Sequence, residues 1–266
     1  MDPRSVLFVP GDRPDRFGSA AGASADLVIL DLEDAVAPAN KIMAREAAKD
    51  WLRAGGRAAV RVNGAQTEWH KDDLELLRLE GTTAVVFPKA EEPGVLEEFC
   101  AAAPDRVAVV ALVETALGIW NARELATVPG VWMLGFGSVD FQLDCRIPGE
   151  GDALLYARSR LVLASAIARI APPLDGVTVA LDDRQRLLAD IATARVLGFG
   201  GKLCIHPSQV ADVNEGFLPS ANALAWAREV IDASEVNGER AFRLRGQLID
   251  RPVLEQARRL LAQKPD

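Results

Sequence analysis

Short apolar runs rich in β-branched residues recur along the chain, separated by longer stretches whose apolar positions return every three or four residues. Eight runs stand out: SVLFVPG from Ser5, DLVILDLED from Asp26, AAVRVNG from Ala58, TAVVFPK from Thr83, VAVVALVET from Val107, VWMLGFGS from Val131, VTVAL from Val177 and KLCIHP from Lys202. The segments 38–53, 73–79, 95–102, 118–126, 153–170 and 183–197 between them read as amphipathic helices. Strand then helix, repeated, means parallel pairing, and near-continuous apolar strands mean that both faces of the sheet are covered. Eight units spaced about 25–30 residues apart predict an α/β fold, a closed (β/α)8 TIM barrel, rather than an open doubly wound sheet. VPGDRPDRF after the first run lacks the G-x-G-x-x-G spacing of a dinucleotide site.

Past the eighth run, 207–217 and 220–233 read as helices, ERAFRLRGQLID as a short ribbon and 252–263 as a last helix. The predicted organisation is a catalytic barrel over 1–217 and a C-terminal helical extension over 218–266 that packs on the barrel or on a neighbouring subunit. An apolar fraction of 49% in 266 residues suffices for one large core. The formal charge of −8 comes from dispersed acids with no Lys/Arg block, which argues against a nucleic-acid partner. Cys100, Cys145 and Cys204 are odd in number and widely spaced, so they suggest neither a disulfide framework nor a zinc site. No run has the length of a signal-peptide core or a membrane span, and a cytoplasmic protein is the expectation.

Barrel enzymes of this kind carry their chemistry at the C-terminal ends of the strands. The polar residues there are Arg13 and Arg16 after the first strand, then Asp31, Glu33 and Asp34 at the second and Arg61 and Asn63 at the third. Lys89 ends the fourth, Glu114 the fifth, Ser138 and Asp140 the sixth, Asp182 and Asp183 the seventh, and His206 the eighth. Glu114 and Asp140 leave consecutive strands, and two carboxylates with water suit a hard cation such as Mg²⁺. The other reading of this pair is a rim salt bridge to Arg61 and Lys89. Two histidines, His70 and His206, are too few for a His-rich zinc site. The Arg61 guanidinium offers either a fork to a small keto acid's carboxylate or an internal pair with Asp31, Glu33 or Asp34. His206 before Pro207 suits a helix start, and Lys89 reads as a rim salt bridge more readily than as a Schiff-base lysine.

The segments SVLFVPGDRPDRF, ADLVILDLEDAVAPANKIMAR, VRVNG, VVFPKAE, ALVETALGIWNARELA, MLGFGSVDFQLD, GFGGKLCIHPSQVADVN and GQLIDRPVLEQARRLL run in order from Ser5 to about Leu261. In them the chain resembles the HpcH/HpaI aldolase and citrate lyase superfamily, and most closely the citrate lyase β-subunit-like proteins. The resemblance implies a Mg²⁺-dependent carbon–carbon lyase acting on a β-hydroxyacyl thioester of the citryl-, malyl- or citramalyl-CoA type. An α-keto acid and an acyl thioester, on CoA or an acyl-carrier protein, are then the partners. Position by position, it implies Glu114 and Asp140 as metal ligands, Arg61 as holder of the keto acid's carboxylate, and Gly137 and Ser138 as donors of backbone N–H groups to that acid. Asp250 of LIDRP falls on an acid/base that relatives contribute across a subunit interface, with Asp34 in reserve. Arg13, Arg16 and Lys41 fall near the carrier's phosphates. A homotrimer or hexamer is also implied.

Two departures stand out: Val139 replaces a glutamate that many relatives carry before the metal aspartate, and DCRIPG replaces a commoner Asp-Leu-Gly run. The thioester partner is therefore expected to differ from that of citrate lyase itself. The alternatives are an aldolase acting on free 4-hydroxy-2-keto acids, which in this superfamily favours an early histidine base missing here, and a non-catalytic barrel subunit.

Overall fold

The computed structural model describes residues 2–238 and 240–262. Eight parallel strands close into a barrel: β1 (Ser5–Pro10), β2 (Leu27–Asp31), β3 (Ala58–Arg61), β4 (Thr82–Phe87), β5 (Ala108–Val113), β6 (Val131–Phe136), β7 (Leu174–Asp175) and β8 (Gly201–Cys204). β8 pairs with β1 through Val6↔Leu203, which completes the ring and leaves no open edge. Side chains alternate along each strand, and the inward set includes Val6, Ile29, Ala59, Val86, Val110, Leu112, Met133 and Leu203. Alanines at Ala59 and Ala84 let the bulkier neighbours interdigitate, so the barrel is a packed core rather than a pore. Among the described residues, no helix is long and apolar enough to cross a membrane, and the three cysteines are free.

Seven of the eight strands lie where the apolar pattern puts them; the seventh is a correction. VTVAL is not a strand, and β7 is the two-residue piece Leu174–Asp175 just after Pro172 and Pro173. In VTVAL, Val179 and Leu181 are about half exposed, while Thr178 is buried with its hydroxyl donating to Asp190. Its apolar residues thus imitate a strand without a ladder to join. Asp182 and Asp183 therefore do not end the seventh strand, and Asp183 instead caps the helix Arg184–Leu197 by accepting the Arg186 N–H. β7 brings a residue that the pattern missed: Asp175 is fully buried, accepts Nε and Nη2 of Arg158, and lies 3.7 Å from Lys202 Nζ. The Lys202 ammonium also donates to the Gly176 carbonyl.

Residues through Asn214 form one compact unit and those from Glu215 onward a second. The second unit pairs the helices Ala221–Asn237 and Arg251–Ala262 around Ala227, Val230, Leu254 and Ala257. Between them β9 (Phe242–Leu244) and β10 (Gln247–Ile249) form an antiparallel hairpin. Its two-residue turn, Arg245–Gly246, has φ of 47° and 83°, as a type I′ turn requires. The ribbon read in ERAFRLRGQLID is thus a real hairpin. Of the expected last helix, Gln263 lies outside the described residues.

Candidate active site

β5 and β6 stay in register to Val113↔Phe136, and the two acids leave these neighbouring strands at the same rim. Glu114 follows β5 directly. After β6 a single residue, Gly137, precedes the helix Ser138–Asp144, which places Asp140 in its first turn. Both acids line a cavity of about 280 Å³, together with Asp31, Arg61, Ser138 and the apolar Phe8, Leu112, Phe136, Val177 and Leu203.

Glu114 is 1% exposed. Its Oε1 accepts the backbone N–H of Lys89 at 2.7 Å, while its Oε2 is buried with no hydrogen-bond partner. Burial, reinforced by the charge on Glu33 and to a lesser degree by Asp140, pushes the carboxyl up to about 8, against the pull of Arg61. Asp140 is half-buried and is also pushed above its ordinary value, first by burial and then by Asp34. Two neighbouring groups hold this geometry. A Cβ on Gly137 would lie 2.4 Å from Glu114 Oε2, so only glycine leaves room for that carboxylate. One turn beyond Asp140, Asp144 accepts the Ala116 N–H at 2.7 Å and ties the helix to the loop leaving Glu114.

Arg61 makes the internal pair, one of the two readings open in the sequence. Its Nε and Nη2 grip Asp31 at 2.7 and 2.6 Å, and Nη1 lies 3.1 Å from Glu33 Oε2. Burial is the largest single influence and works against its charge, but Asp31 with Glu33 and Glu114 together outweigh it and hold the guanidinium above its ordinary value. The guanidinium also lies over the Phe8 ring at 4.8 Å and lines the cavity. Of its five N–H donors, two are engaged by Asp31, and the Nη1 and Nη2 edge retains protons for a second carboxylate.

Two expectations are corrected. The Gly137 N–H does not reach toward a bound acid, because it donates to the Val113 carbonyl at 3.0 Å and continues the sheet ladder. Gly137 contributes space, and Ser138, at the first helical position, supplies the nearby helix-start N–H. Lys41 is not free for a phosphate: its buried ammonium donates to the Leu32 and Glu33 carbonyls and to Asn63 Oδ1, engaging all three of its protons. It is a strut beneath the β2 and β3 loops, continued through Asn63 to Asp73 and from Asp73 to Arg45.

The other predicted residues of the barrel unit do not line the 280 Å³ cavity. Asp34 is exposed, 3.7 Å from Lys89 Nζ, and lines an adjoining cavity of about 530 Å³ with Glu33, Lys41, Trp69, Phe87 and Lys89. Arg13 is partly exposed and paired with Asp15 at 2.8 Å, and Arg16 is exposed. His206 caps the turn that starts at Pro207 by accepting the Ser208 N–H, a structural part. Asp250, in the C-terminal unit, accepts the Val253 N–H at the start of the last helix. Glu33, in the sequence one of three candidate partners of Arg61, meets both Arg61 and Lys89, and the second contact was not foreseen. Three acids in DLED were the available signal, since a strand end crowded with like charges needs cations close by.

No metal centre of three or more His, Cys, Asp or Glu side chains exists among the described residues. What the site offers is a pair of oxygen donors with one buried, unsatisfied carboxylate oxygen, the arrangement of a hard cation that keeps positions open for water and substrate. Residues 4–207 match the family model HpcH/HpaI aldolase/citrate lyase. A citrate lyase subunit beta-like protein of Deinococcus radiodurans is 39% identical over 97% of this chain and 96% of its own length. A (3S)-malyl-CoA thioesterase of Cereibacter sphaeroides is 35% identical over 97% of this chain and 93% of its own. The crystal structure of CitE from Mycobacterium tuberculosis in complex with magnesium, acetoacetate and coenzyme A superposes with a TM-score of 0.84 at 38% identity, covering 98% of this chain and 97% of that one. On its barrel, its rim and these relatives, this chain belongs to the HpcH/HpaI aldolase/citrate lyase family.

Proposed function

We propose that the chain makes or breaks, with Mg²⁺, the carbon–carbon bond of a β-hydroxyacyl-CoA of the citryl, malyl or citramalyl type. The other products or substrates are an α-keto acid such as oxaloacetate, glyoxylate or pyruvate and an acyl-CoA. The observation that carries this reading is the buried Glu114 Oε2, left without a partner beside Asp140 in a cavity that also presents Arg61. A buried carboxylate oxygen without hydrogen bonds is costly, and a divalent cation removes that cost while preserving the charge.

Glu114 and Asp140 are the residues that would hold the ion. When bound, Mg²⁺ supplies positive charge that stabilises the negative charge developing on a substrate oxygen during cleavage or condensation. Arg61, fixed on one edge by Asp31, uses its other edge to orient the keto acid's carboxylate. The Ser138 N–H at the helix start lies on the same cavity wall and reinforces that orientation. Phe8, Leu112, Phe136 and Leu203 make much of the cavity wall apolar, which strengthens the charge interactions beside it. Its volume suits a small keto acid, so the CoA moiety extends beyond it. Arg13 and Arg16 are the cations assigned to the carrier's phosphates; Arg13 exchanges Asp15 for them. Asp250 from a neighbouring subunit is the proposed acid/base for the carbon next to the thioester, with Asp34 as the alternative.

A second reading, hydrolysis of the malyl-type thioester after or instead of C–C chemistry, draws on the relative named (3S)-malyl-CoA thioesterase. One assay separates the two. Purified protein with Mg²⁺, acetyl- or propionyl-CoA and each keto acid is followed by mass spectrometry for new C–C-bonded thioesters and for free CoA. A lyase accumulates the thioester adduct; a lyase that also hydrolyses it releases free CoA and the hydroxy acid, and hydrolysis without C–C chemistry is read by supplying malyl-CoA itself. No product from any pairing, with EDTA and Mg²⁺ samples alike, would overturn the proposal.

A further inference from the structure

β4 ends at Phe87, Pro88 follows, and Lys89 then has φ of 48°, a left-handed conformation that residues other than glycine rarely adopt. The other non-glycine residues with positive φ, Ser24, Arg146, Arg169 and Arg245, lie in turns or at helix ends, where this conformation is routine. Lys89 differs in standing at a strand end at the mouth of the barrel, and it makes two contacts there. Its backbone N–H donates to Glu114 Oε1 at 2.7 Å, and its ammonium donates to Glu33 Oε1 at 2.7 Å. The opposite oxygen of each acid is the informative one. Glu114 Oε2 is the unsatisfied atom in the metal site, and Glu33 Oε2 lies 3.1 Å from Arg61 Nη1.

We infer that Lys89 is a positioning residue with two separate ends: its N–H sets which oxygen Glu114 offers to the cation, and its ammonium shares the Glu33 carboxylate with Arg61, so that Glu33 does not press on the guanidinium alone. Because φ is the rotation about the N–Cα bond, it fixes how the N–H lies relative to the side chain, and the left-handed value lets one residue serve two different carboxylates. Lys89 is not a catalytic residue, since it lines the 530 Å³ cavity and not the 280 Å³ cavity that holds Glu114, Asp140 and Arg61. Without the Lys89 ammonium, Arg61 is the one cation left on the Glu33 carboxylate among the described residues, and that carboxylate competes with the keto acid's for the guanidinium. The inference rests on the proposed metal and keto-acid site.

The test uses two variants of the full chain, with Mg²⁺ and pyruvate binding measured separately by calorimetry. Lys89→Gly keeps the N–H and the left-handed backbone but removes the ammonium. It is expected to hold Mg²⁺ within about 3-fold of the parent and to bind pyruvate about 10-fold more weakly. Lys89→Val also resists positive φ and is expected to weaken Mg²⁺ itself by about 10–100-fold. A residue that merely supported the fold would lower the melting temperature of both variants without separating the two affinities. Parent-like Mg²⁺ affinity in the Val variant, or equal loss in both, overturns the inference. If the parent binds no Mg²⁺, the metal reading itself fails, and crystal structures of the variants decide on Lys89. A Glu114 carboxylate kept in place by Gly and displaced by Val supports the inference; the same position in both sinks it.

Discussion

Two buried carboxylates, one just after β5 and one on β7, have opposite surroundings. Asp175 on β7 is fully buried but saturated: Arg158 grips both of its oxygens, and Lys202 stands behind. Glu114 after β5 is as deeply buried, yet it receives one backbone N–H, leaves Oε2 unmatched and faces the like charges of Glu33 and Asp140. Burial alone therefore does not distinguish structure from chemistry. A buried charge whose partners are complete stabilises the fold, whereas one left incomplete among like charges is waiting for a ligand.

Substitutions should break this symmetry in opposite directions. Glu114→Gln is expected to lower turnover on the order of 1,000-fold while leaving the thermal stability of metal-free protein at pH 7 close to the parent's, because the carboxyl it replaces already carries its proton there. Kinetic assays beside thermal melts check both halves; a large stability loss with modest activity loss would place Glu114 with Asp175. Asp175→Ala should instead cost about 3 kcal/mol or more in chemical denaturation, since it strands Arg158 and Lys202 without an anion. Its folded fraction should bind Mg²⁺ as the parent does.

A smaller effect comes from pH. In metal-free protein the Glu114 carboxyl keeps its proton up to about pH 8, whereas in the unfolded chain it releases it near 4.5. The folded state thus holds more protons between those values. Stability is fully present below this window and declines as pH rises through about 8. Mg²⁺ requires the carboxylate, so binding at pH 7 should release a proton, and this release should vanish well above pH 8. Melts in EDTA across pH, and calorimetry in buffers of different ionisation enthalpy, measure the two. A flat profile in the parent, the same as in Glu114→Gln, contradicts this account. The smallest expected change is in Asp144→Ala, which frees the Ala116 N–H and should weaken Mg²⁺ affinity only a few-fold, to be read by titration.

The barrel was legible because its strands are continuous apolar runs, and parallel pairing follows from the helical stretches between them. β7 was not, since two residues after a Pro-Pro step carry no periodicity while VTVAL imitates a strand. Which acids meet at the rim could be read from strand order, but which oxygen is satisfied could not. That depends on the conformation of Lys89 and on the missing Cβ of Gly137, neither of which a pattern encodes. Lys41, assigned to the carrier's phosphates by the resemblance, misled for a similar reason, because a sequence does not display its three acceptors. Arg61 takes the internal pair with Asp31 and Glu33, one of its two readings, and a guanidinium with five donors has protons left to serve the other.

The most direct test is a crystal grown with Mn²⁺ in place of Mg²⁺ and soaked in pyruvate, with the metal located by its anomalous signal. The account predicts one peak bridging Glu114 and Asp140 in the 280 Å³ cavity, with Glu114 Oε2 as a ligand and the pyruvate carboxylate on the free edge of Arg61. A metal bound elsewhere, or none, with Glu114 Oε2 turned onto a protein donor, would contradict it.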